Sequence, residues 1–507
     1  MNDEVTSLPE LPRGWTRITV KDVSILVTKG STPTSYNFDY VPAGINFIKV
    51  ENLRNGRLDR SSLSEFITKD THDFLKRSQL VKDDILFSIA GTIGKVAIVH
   101  SDDLPANINQ AIAIIRCPWE FVNPDYLKIV FNSQIARSSL ERQPRGVGMN
   151  NVSLGDVKNI AFLLPPLPEQ QRIVAKIEEL FTRLDAGVEA LNKIKSQLKR
   201  YRQSVLKHAF EGKLTEEWRQ AHKDGLDPAS ILLERIKQQR HEAAKDKFKE
   251  LPPLDTPNLP GLPEGWVWTR MGEACLVQGG YAFKSKDYKN SGIPLLRISN
   301  ISEHKVTFDK DTVFLEAECK EKYTDFLVMS NDIVIALSGA TTGKFGIYDK
   351  HEIALLNQRV GRLKYYCPDL VSILYFFYYM EVIRQDILKR AYGAAQPNIS
   401  TGDLAEFMVP LPPLPEQHRI VEEVERRFSV ADQIEKTVDH SLKEAERLRH
   451  SILKRAFEGK LVPQDSNDEP AEKLLERIRQ GRARQQTERK PAKSSRNKSN
   501  TKQMRLV

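Results

Sequence analysis

Cysteine is scarce in this chain, with four residues in 507. Cys117, Cys275, Cys319 and Cys367 stand far apart and form no C-x-x-C pair, which excludes a disulfide scaffold and argues against a structural zinc site. Long apolar runs are missing too. No stretch of about eighteen apolar residues occurs, so no membrane-spanning helix is expected. The opening Met-Asn-Asp-Glu-Val-Thr-Ser has neither a basic nor an apolar region of the kind that marks a signal peptide. These absences predict a soluble, cytoplasmic protein. What is plentiful is charge, at 28% of residues, beside 40% hydrophobic residues, enough for sizeable cores. At about 150 residues per domain, the length predicts roughly three units, or two plus an extended element.

Catalytic signatures are also wanting. A phosphate-binding loop needs a glycine five residues before its Gly-Lys pair. Gly94-Lys95 has Ile89 there and Gly343-Lys344 has Ser338, so both read as strand-end turns. No H-E-x-x-H occurs, and the ten histidines are scattered. Asn123-Pro-Asp-Tyr126 lacks the second proline of an adenine-methyltransferase loop and reads as a helix cap. Glu318-Cys-Lys320 has a nuclease-like E-x-K spacing but no useful Pro-Asp upstream, and reads as a solvated charge run. No glycine-rich loop opens a dinucleotide-binding unit. A non-catalytic chain is the simplest expectation.

Positive charge is concentrated at one end. From Arg477 to Val507 eleven Lys/Arg face one acid, Glu488, a net of +10, which leaves −1 for residues 1–476 of the total +9. That tail has no apolar period and reads as disordered, either a solubilising terminus or a source of salt-sensitive phosphate affinity.

The strongest signal is internal repetition. Leu164-Pro-Pro-Leu-Pro-Glu-Gln170 recurs letter for letter at Leu411–Gln417, and Ala209–Leu214 recurs at Ala456–Leu461, both at an offset of 247. Looser matches follow in order: Leu11–Trp15 with Leu262–Trp266, Gly44–Leu53 with Gly292–Ile301, Asn109-Gln110 with Asn357-Gln358, Ser153–Asp156 with Ser400–Asp403. One module of about 250 residues has been duplicated in tandem.

Each module opens with about 150 residues that read as α+β. Strands are expected at Ile45–Val50, Ile85–Ala90, Val96–Val99 and Ala111–Arg116, then one helix over Pro124–Arg142. The second copy offers Ile293–Ile298, Ile333–Leu337, Phe345–Tyr348, Val360–Tyr366, then Asp369–Ala391, whose aromatic cluster from Tyr375 to Tyr379 is expected to pack. A long helix closes each module. Apolar residues recur from Ile173 through Ile177, Leu184, Ile194, Leu198 and Tyr201 to Val205 at a mean step of about 3.56, between the straight-helix and coiled-coil periods. Gly212 and Gly459 stand where each helix should stop. At 1.5 Å per residue the helix is roughly 65 Å long. So narrow a stripe needs another helix to cover it, its duplicate before its own domain. A weaker helix is expected from Asp227 to about Lys249, with a counterpart at Leu474–Ile478, and Leu251–Pro263, with five prolines, reads as a linker. Two similar modules about a pseudo-two-fold suit a ligand with two half-sites, of which DNA is the natural case.

The L-P-P-L-P-E-Q element opening a long helix that ends A-F-E-G-K-L, twice, each time after a variable domain, resembles the specificity subunit of Type I restriction–modification systems over roughly residues 8–461. The resemblance implies two target recognition domains, 1–163 and 263–410, each reading half of an asymmetric bipartite DNA site. Two long antiparallel helices, 164–214 and 411–461, would form a coiled coil that sets the gap. Residues 215–262 become a helical segment and linker, and 462–507 a helix remnant with a basic tail. Two modification subunits would bring S-adenosylmethionine and adenine N6 methylation, and two restriction subunits ATP-driven translocation and cleavage with Mg; no cofactor is expected in this chain. Residue chemistry nominates Lys49, Asn52, Arg54, Lys95, Asn109 and Gln110 in the first copy as DNA contacts, and Arg297, Asn300, Lys344, Asn357, Gln358 and Arg359 in the second. Recurrence of the Asn-Gln pair in domains that should read different bases argues for a structural or backbone role there. Glu169, Gln170, Ile173, Glu416, Gln417 and Ile420 are the expected docking residues. The competing expectation is a pseudo-symmetric scaffold whose modules bind proteins.

Overall fold

The computed structural model describes residues 11–141, 151–244, 254, 259–365, 368–392 and 397–488. The N-terminal heptapeptide, Cys367, most of the proline-rich linker and residues 489–507 lie outside that set. The chain forms two compact units, one of residues 1–189 with 442–507, the other of 190–441.

In unit 1 an antiparallel sheet has the order Leu26–Lys29, Ile112–Arg116, Ile85–Ser88, Val96–Ile98. Side chains alternate across it, as the two-residue period of a strand requires. Leu86, Ile112 and Ile114 face a smaller mixed sheet, Phe66–Ile67, Ile45–Ile48 and Ala106–Ile108, and fill the layer between the two. Ile85, Phe87, Ala113 and Ile115 face the helices on the other side. The expected helix over 124–142 is two, Pro124–Asn132 and Gln134–Glu141. Ser133 separates them in an extended conformation, its Oγ donating back to Val130 O at 2.6 Å. Asn123 caps the first helix by accepting from Tyr126 N at 3.0 Å.

Unit 2 repeats this plan. Its larger sheet runs Cys275–Gly279, Val360–Tyr365, Ile333–Ala336, Phe345–Ile347, His304–Lys305. The helical stretch expected at 369–391 again splits, into Ile373–Val382 and Arg384–Ala391. Tyr375, Phe376 and Tyr379 are buried, and Phe210 of the first long helix packs 4.9 Å from Tyr375.

The long helices are Leu167–Phe210 and Leu414–Phe457, 44 residues each. Gly212 (φ 72°) and Gly459 (φ 68°) end them in the left-handed region, where a Cβ would sit 2.4 Å from Pro263 and 2.7 Å from Pro12 respectively. Each unit takes part of both helices. In unit 2, Lys195 reaches Asp439 at 2.8 Å and Arg202 reaches Asp432 at 2.6 Å: seven residues forward on one helix match seven back on the other, an antiparallel pair in heptad steps. In unit 1, Arg449 of the second helix lies 4.5 Å over the Phe181 ring and pairs with Asp185. The helices also pack on the globular layers, since Ile173, Ile177, Ile452 and Phe457 belong to the core of unit 1. The expected choice between a duplicate helix and a globular domain as partner was therefore a false one. Nor is the stripe covered throughout: Ile194, Tyr201, Ile434 and Leu448 are exposed, because a pair of helices with no third layer covers only part of each.

A second helix closes each unit. Ala229–Ala244 lies in unit 2, where Ala229 N donates to Gly265 O at 2.8 Å. Ala471–Glu488 lies in unit 1, where Ala471 N donates to Gly14 O at 2.9 Å. The expectation of disorder from Arg477 onward is thus corrected for Arg477–Glu488. Ile478 is buried in the core, and the Arg482 guanidinium donates to Lys21 O at 3.0 Å. An apolar face at Leu474, Leu475 and Ile478, masked by basic neighbours, carries the helix.

Candidate nucleic-acid interface

Two structures recur in both units: a joint that fixes the lobe to its long helix, and a groove beside it. The joint is made by the repeated Glu-Gln pair. In unit 1, Trp15 Nε1 donates to Glu169 Oε2 at 3.0 Å. Gln170 accepts from Asn123 N at 2.8 Å and donates to Pro165 O at 2.9 Å. In unit 2, Trp266 Nε1 donates to Glu416 Oε2 at 2.8 Å, and Gln417 accepts from Ser372 N at 2.9 Å and donates to Pro412 O at 3.0 Å. A buried polar group needs its partners, and here one seven-residue element supplies them twice. The two acids differ in what else they meet. Glu416 also takes the Arg219 guanidinium at 2.6 Å and the Thr215 hydroxyl at 2.7 Å. Glu169 has no such cation in contact; burial raises its pKa, opposed by the Trp15 indole and by Arg172, which itself pairs with Asp468 at 2.6 Å.

These positions correct one expectation. Glu169, Gln170, Ile173, Glu416, Gln417 and Ile420 are all buried within their own unit. Glu169 Oε2, Glu416 and both glutamine amides are bonded inside their units, so these residues tie each lobe to its helix and do not form an exposed docking face.

The groove of unit 1, about 1060 Å³, runs between lobe and helices. Its lobe side carries Arg54, Asn55, Lys95, Lys128 and Asn132, and its helix side Phe181, Asp185, Arg449 and Leu453. Unit 2 has a groove of about 570 Å³ lined by Lys199, Gln203, Lys207, Glu303, Glu381 and Arg384. The two match in position: Leu206 and Leu453 are 247 apart in the long helices, and Asn132 and Glu381 stand six residues after Tyr126 and Tyr375. Those tyrosines donate equivalently to Leu163 O and Pro410 O. Cations exceed acids in both, four to two in unit 1 counting Glu178 and three to two in unit 2, a modest positive excess of the sign that phosphate backbones attract.

The family model for the Type I restriction modification DNA specificity domain matches residues 12–200 and again 263–444. The chain belongs to that family. The EcoKI specificity subunit of Escherichia coli (strain K12) is 28% identical over 506 residues, 94% of this chain and 97% of that protein. The EcoBI specificity subunit of Escherichia coli is 33% identical over 218 residues, 41% of this chain and 46% of that protein. In fold, the chain is similar to a solved chain of a type I R-M system, with a TM-score of 0.63 at 21% identity, covering 89% of this chain and 100% of that one. It is similar also to the HsdS subunit from Thermoanaerobacter tengcongensis, at 0.57 and 20%, covering 89% and 98%. As a Type I specificity subunit it is the DNA sequence-recognition component and not the catalytic one. Among the described residues no cluster of His, Cys, Asp and Glu could hold a metal ion, and no helix is long and apolar enough to cross a membrane.

The twelve nominated DNA contacts separate by geometry. Asn52 and Asn300 are buried and their amides are spent. Asn52 accepts from Lys49 N at 2.7 Å and donates to Ser62 O at 2.8 Å; Asn300 accepts from Arg297 N at 2.9 Å and donates to Thr307 O at 3.1 Å. Neither is free to read a base. Lys49 is paired with Glu65 and lies over the Tyr40 ring. Asn109 and Asn357 accept from Ala111 N and Arg359 N, shaping the same turn twice. Gln110 is exposed and bonded to Thr32. Gln358 and Arg359 are exposed, while Arg297 and Lys344 are half-buried. Only Arg54 and Lys95 line the groove, the latter donating to Val50 O at 3.2 Å. Sequence reasoning missed Asn55, Lys128, Arg449, Lys199, Lys207, Glu303 and Arg384. The Asn55-Gly56 turn signal was available; the helical residues are assembled by tertiary packing and carry no local mark.

Proposed function

We propose that each unit reads one half of an asymmetric, bipartite DNA site and that the long helices set the gap. The observation that carries this reading is the contrast within the duplication: joints built on the same Trp-Glu and Gln bonds beside grooves lined by different side chains. Two modification subunits would supply S-adenosylmethionine and methylate adenine N6. Two restriction subunits would add cleavage, using ATP and Mg. The exposed apolar residues of the helices, Leu448 in unit 1 and Ile194, Tyr201 and Ile434 in unit 2, are the docking positions for the modification subunits, replacing the buried Glu-Gln pairs in that role. Single apolar residues on a surface are ordinary, so this assignment requires that they join into one apolar patch.

The test is duplex binding by the chain assembled with its modification subunits. Sequence-selective binding whose affinity falls steeply with salt supports the reading. Indifference to DNA contradicts it and favours a protein-binding scaffold.

A further inference from the structure

Each groove is overhung by a tight turn, and the two turns stand on matching bases but differ in backbone and in tip: Asn55 and Gly56 are both left-handed, whereas of Glu303 and His304 only His304 is. In unit 1, Leu53–Arg54 pairs with Arg57–Leu58, leaving Asn55 (φ 50°) and Gly56 (φ 77°) as the turn. Two successive left-handed residues are what a two-residue hairpin of this hand needs. In unit 2, Ile301 bridges Val306, Ser302 N donates to Lys305 O at 3.0 Å, and His304 has φ 65°. The bases match: Asp59 N donates to Asn52 O at 2.8 Å, and Thr307 N to Asn300 O at 2.9 Å. An offset of 248 therefore holds throughout, so Arg54, Asn55, Gly56 and Arg57 correspond to Ser302, Glu303, His304 and Lys305.

Both turns are pinned along one side. Gly56 O accepts from Ile98 N at 3.2 Å, and a Cβ on Gly56 would lie 3.2 Å from the Lys128 stem. His304 runs beside Gly346 as a parallel strand, its ring edge-on to Phe345 and Phe377 at 5.5 and 5.4 Å. A rigid base holds the tip side chains in place. Those side chains reach solvent: Arg54 is 63% exposed with only a 3.4 Å contact to Asp59, and Glu303 is 66% exposed, 3.1 Å from Arg384.

We propose that these turns are specificity-determining tips, Arg54 and Asn55 reading purine edges in the half-site under unit 1 and Glu303 accepting from a cytosine amino group in the half-site under unit 2. The inference rests on the DNA reading above. Arginine matches the two acceptors of guanine, and asparagine the donor–acceptor pair of adenine. A carboxylate projecting into a groove with Lys199, Lys207 and Arg384 is repelled by phosphates. Its favourable partner on a duplex is a base-edge donor, and cytosine N4 presents one without an adjacent acceptor.

The test is methylation by the full chain with its modification subunits, on a library of duplexes randomised in both half-sites and read by sequencing. Glu303→Gln keeps the shape of the tip and Arg54→Ala removes its charge. Each variant is expected to relax discrimination at one position of one half-site about tenfold, in different halves, while the other half and the spacing are kept. Unchanged preference in both halves overturns the proposal. So does a uniform loss over all sequences, which assigns the side chains to phosphates. A wild-type complex with no base preference at all overturns the DNA reading itself, an outcome separate from the failure of the tips. Binding of a non-cognate duplex at low salt, equal to wild type, verifies that the variants are folded.

Discussion

The joint and the groove tip lie in the same lobe, yet the duplication has treated them oppositely. At the joint, indole, carboxylate and amide recur within a few tenths of an ångström: Trp15, Glu169 and Gln170 against Trp266, Glu416 and Gln417. At the tip only the base of the hairpin recurs; the turn backbone and its side chains differ, Arg54-Asn55-Gly56-Arg57 standing against Ser302-Glu303-His304-Lys305. Buried polar groups have one satisfactory arrangement, because each lost partner costs desolvation energy. Exposed tips are free of that constraint and can change with the ligand. Similarity between the halves thus marks what holds each lobe to its helix, and the proposed function assigns the difference to what each lobe meets.

The largest effect should come from removing residues 471–507. This strips Leu474, Leu475 and Ile478 from the core of unit 1, a loss of roughly 5–9 kcal/mol at about 1.5–3 kcal/mol per buried side chain. Hydrogen exchange should then rise across unit 1 and stay low in unit 2. Equal loss in both units would break the assignment of this helix to unit 1.

The two joint acids sharpen the comparison. Glu416→Ala leaves the Arg219 guanidinium and the Trp266 indole without their buried partner and should cost about 3–5 kcal/mol. Glu169→Ala takes the acceptor from the Trp15 indole and the contact from the Gln464 side chain, but strands no buried guanidinium, and should cost about 1–3 kcal/mol. Denaturant unfolding read by exchange in each unit checks the order, and the reverse order would contradict it. The pH response follows from the same contrast. Burial raises the pKa of Glu169 above its unfolded value, so the folded state favours the protonated form. The stability this contributes is complete below the ordinary glutamate pKa and is lost as pH rises through the raised value. Glu169→Gln should flatten that part of the stability–pH curve for unit 1; a curve identical to wild type would refute the shift.

A smaller, geometric effect concerns the helices. Seven residues inserted after Ser196 and seven after Lys443 preserve the heptad register of the antiparallel pair and add roughly 10 Å at 1.5 Å per residue. The gap between half-sites should grow by about three base pairs at 3.4 Å each, with both halves unchanged. Methylated sites that kept the original gap would show that the helices do not set it.

Much of this was legible in the sequence. The duplicated element, the stripe from Ile173 to Val205 and the stop at Gly212 follow from spacing alone, because helix period and glycine geometry are local. The paired sheets were partly legible, since strands such as Ile85–Ser88 are apolar on both faces and announce burial. The break at Ser133 was not, having neither proline nor glycine beside it. The docking residues were misread for a physical reason: a polar pair at a helix start looks like a surface, and only the fold reveals Trp15 arriving from 154 residues away to cover it. The continuation of the helix from Leu474–Ile478 to Glu488 was hidden by its own charge, since Ile478 is the last large apolar residue before a basic and polar run.

Independent reading of half a site by each lobe follows from the proposed function. It is tested most directly by mapping methylated adenines after exchanging residues 11–163 for those of another family member, in a complex with the same modification subunits. One half of the recognised sequence should change while the other half and the gap stay as they were. A change in both halves, or in neither, would contradict it.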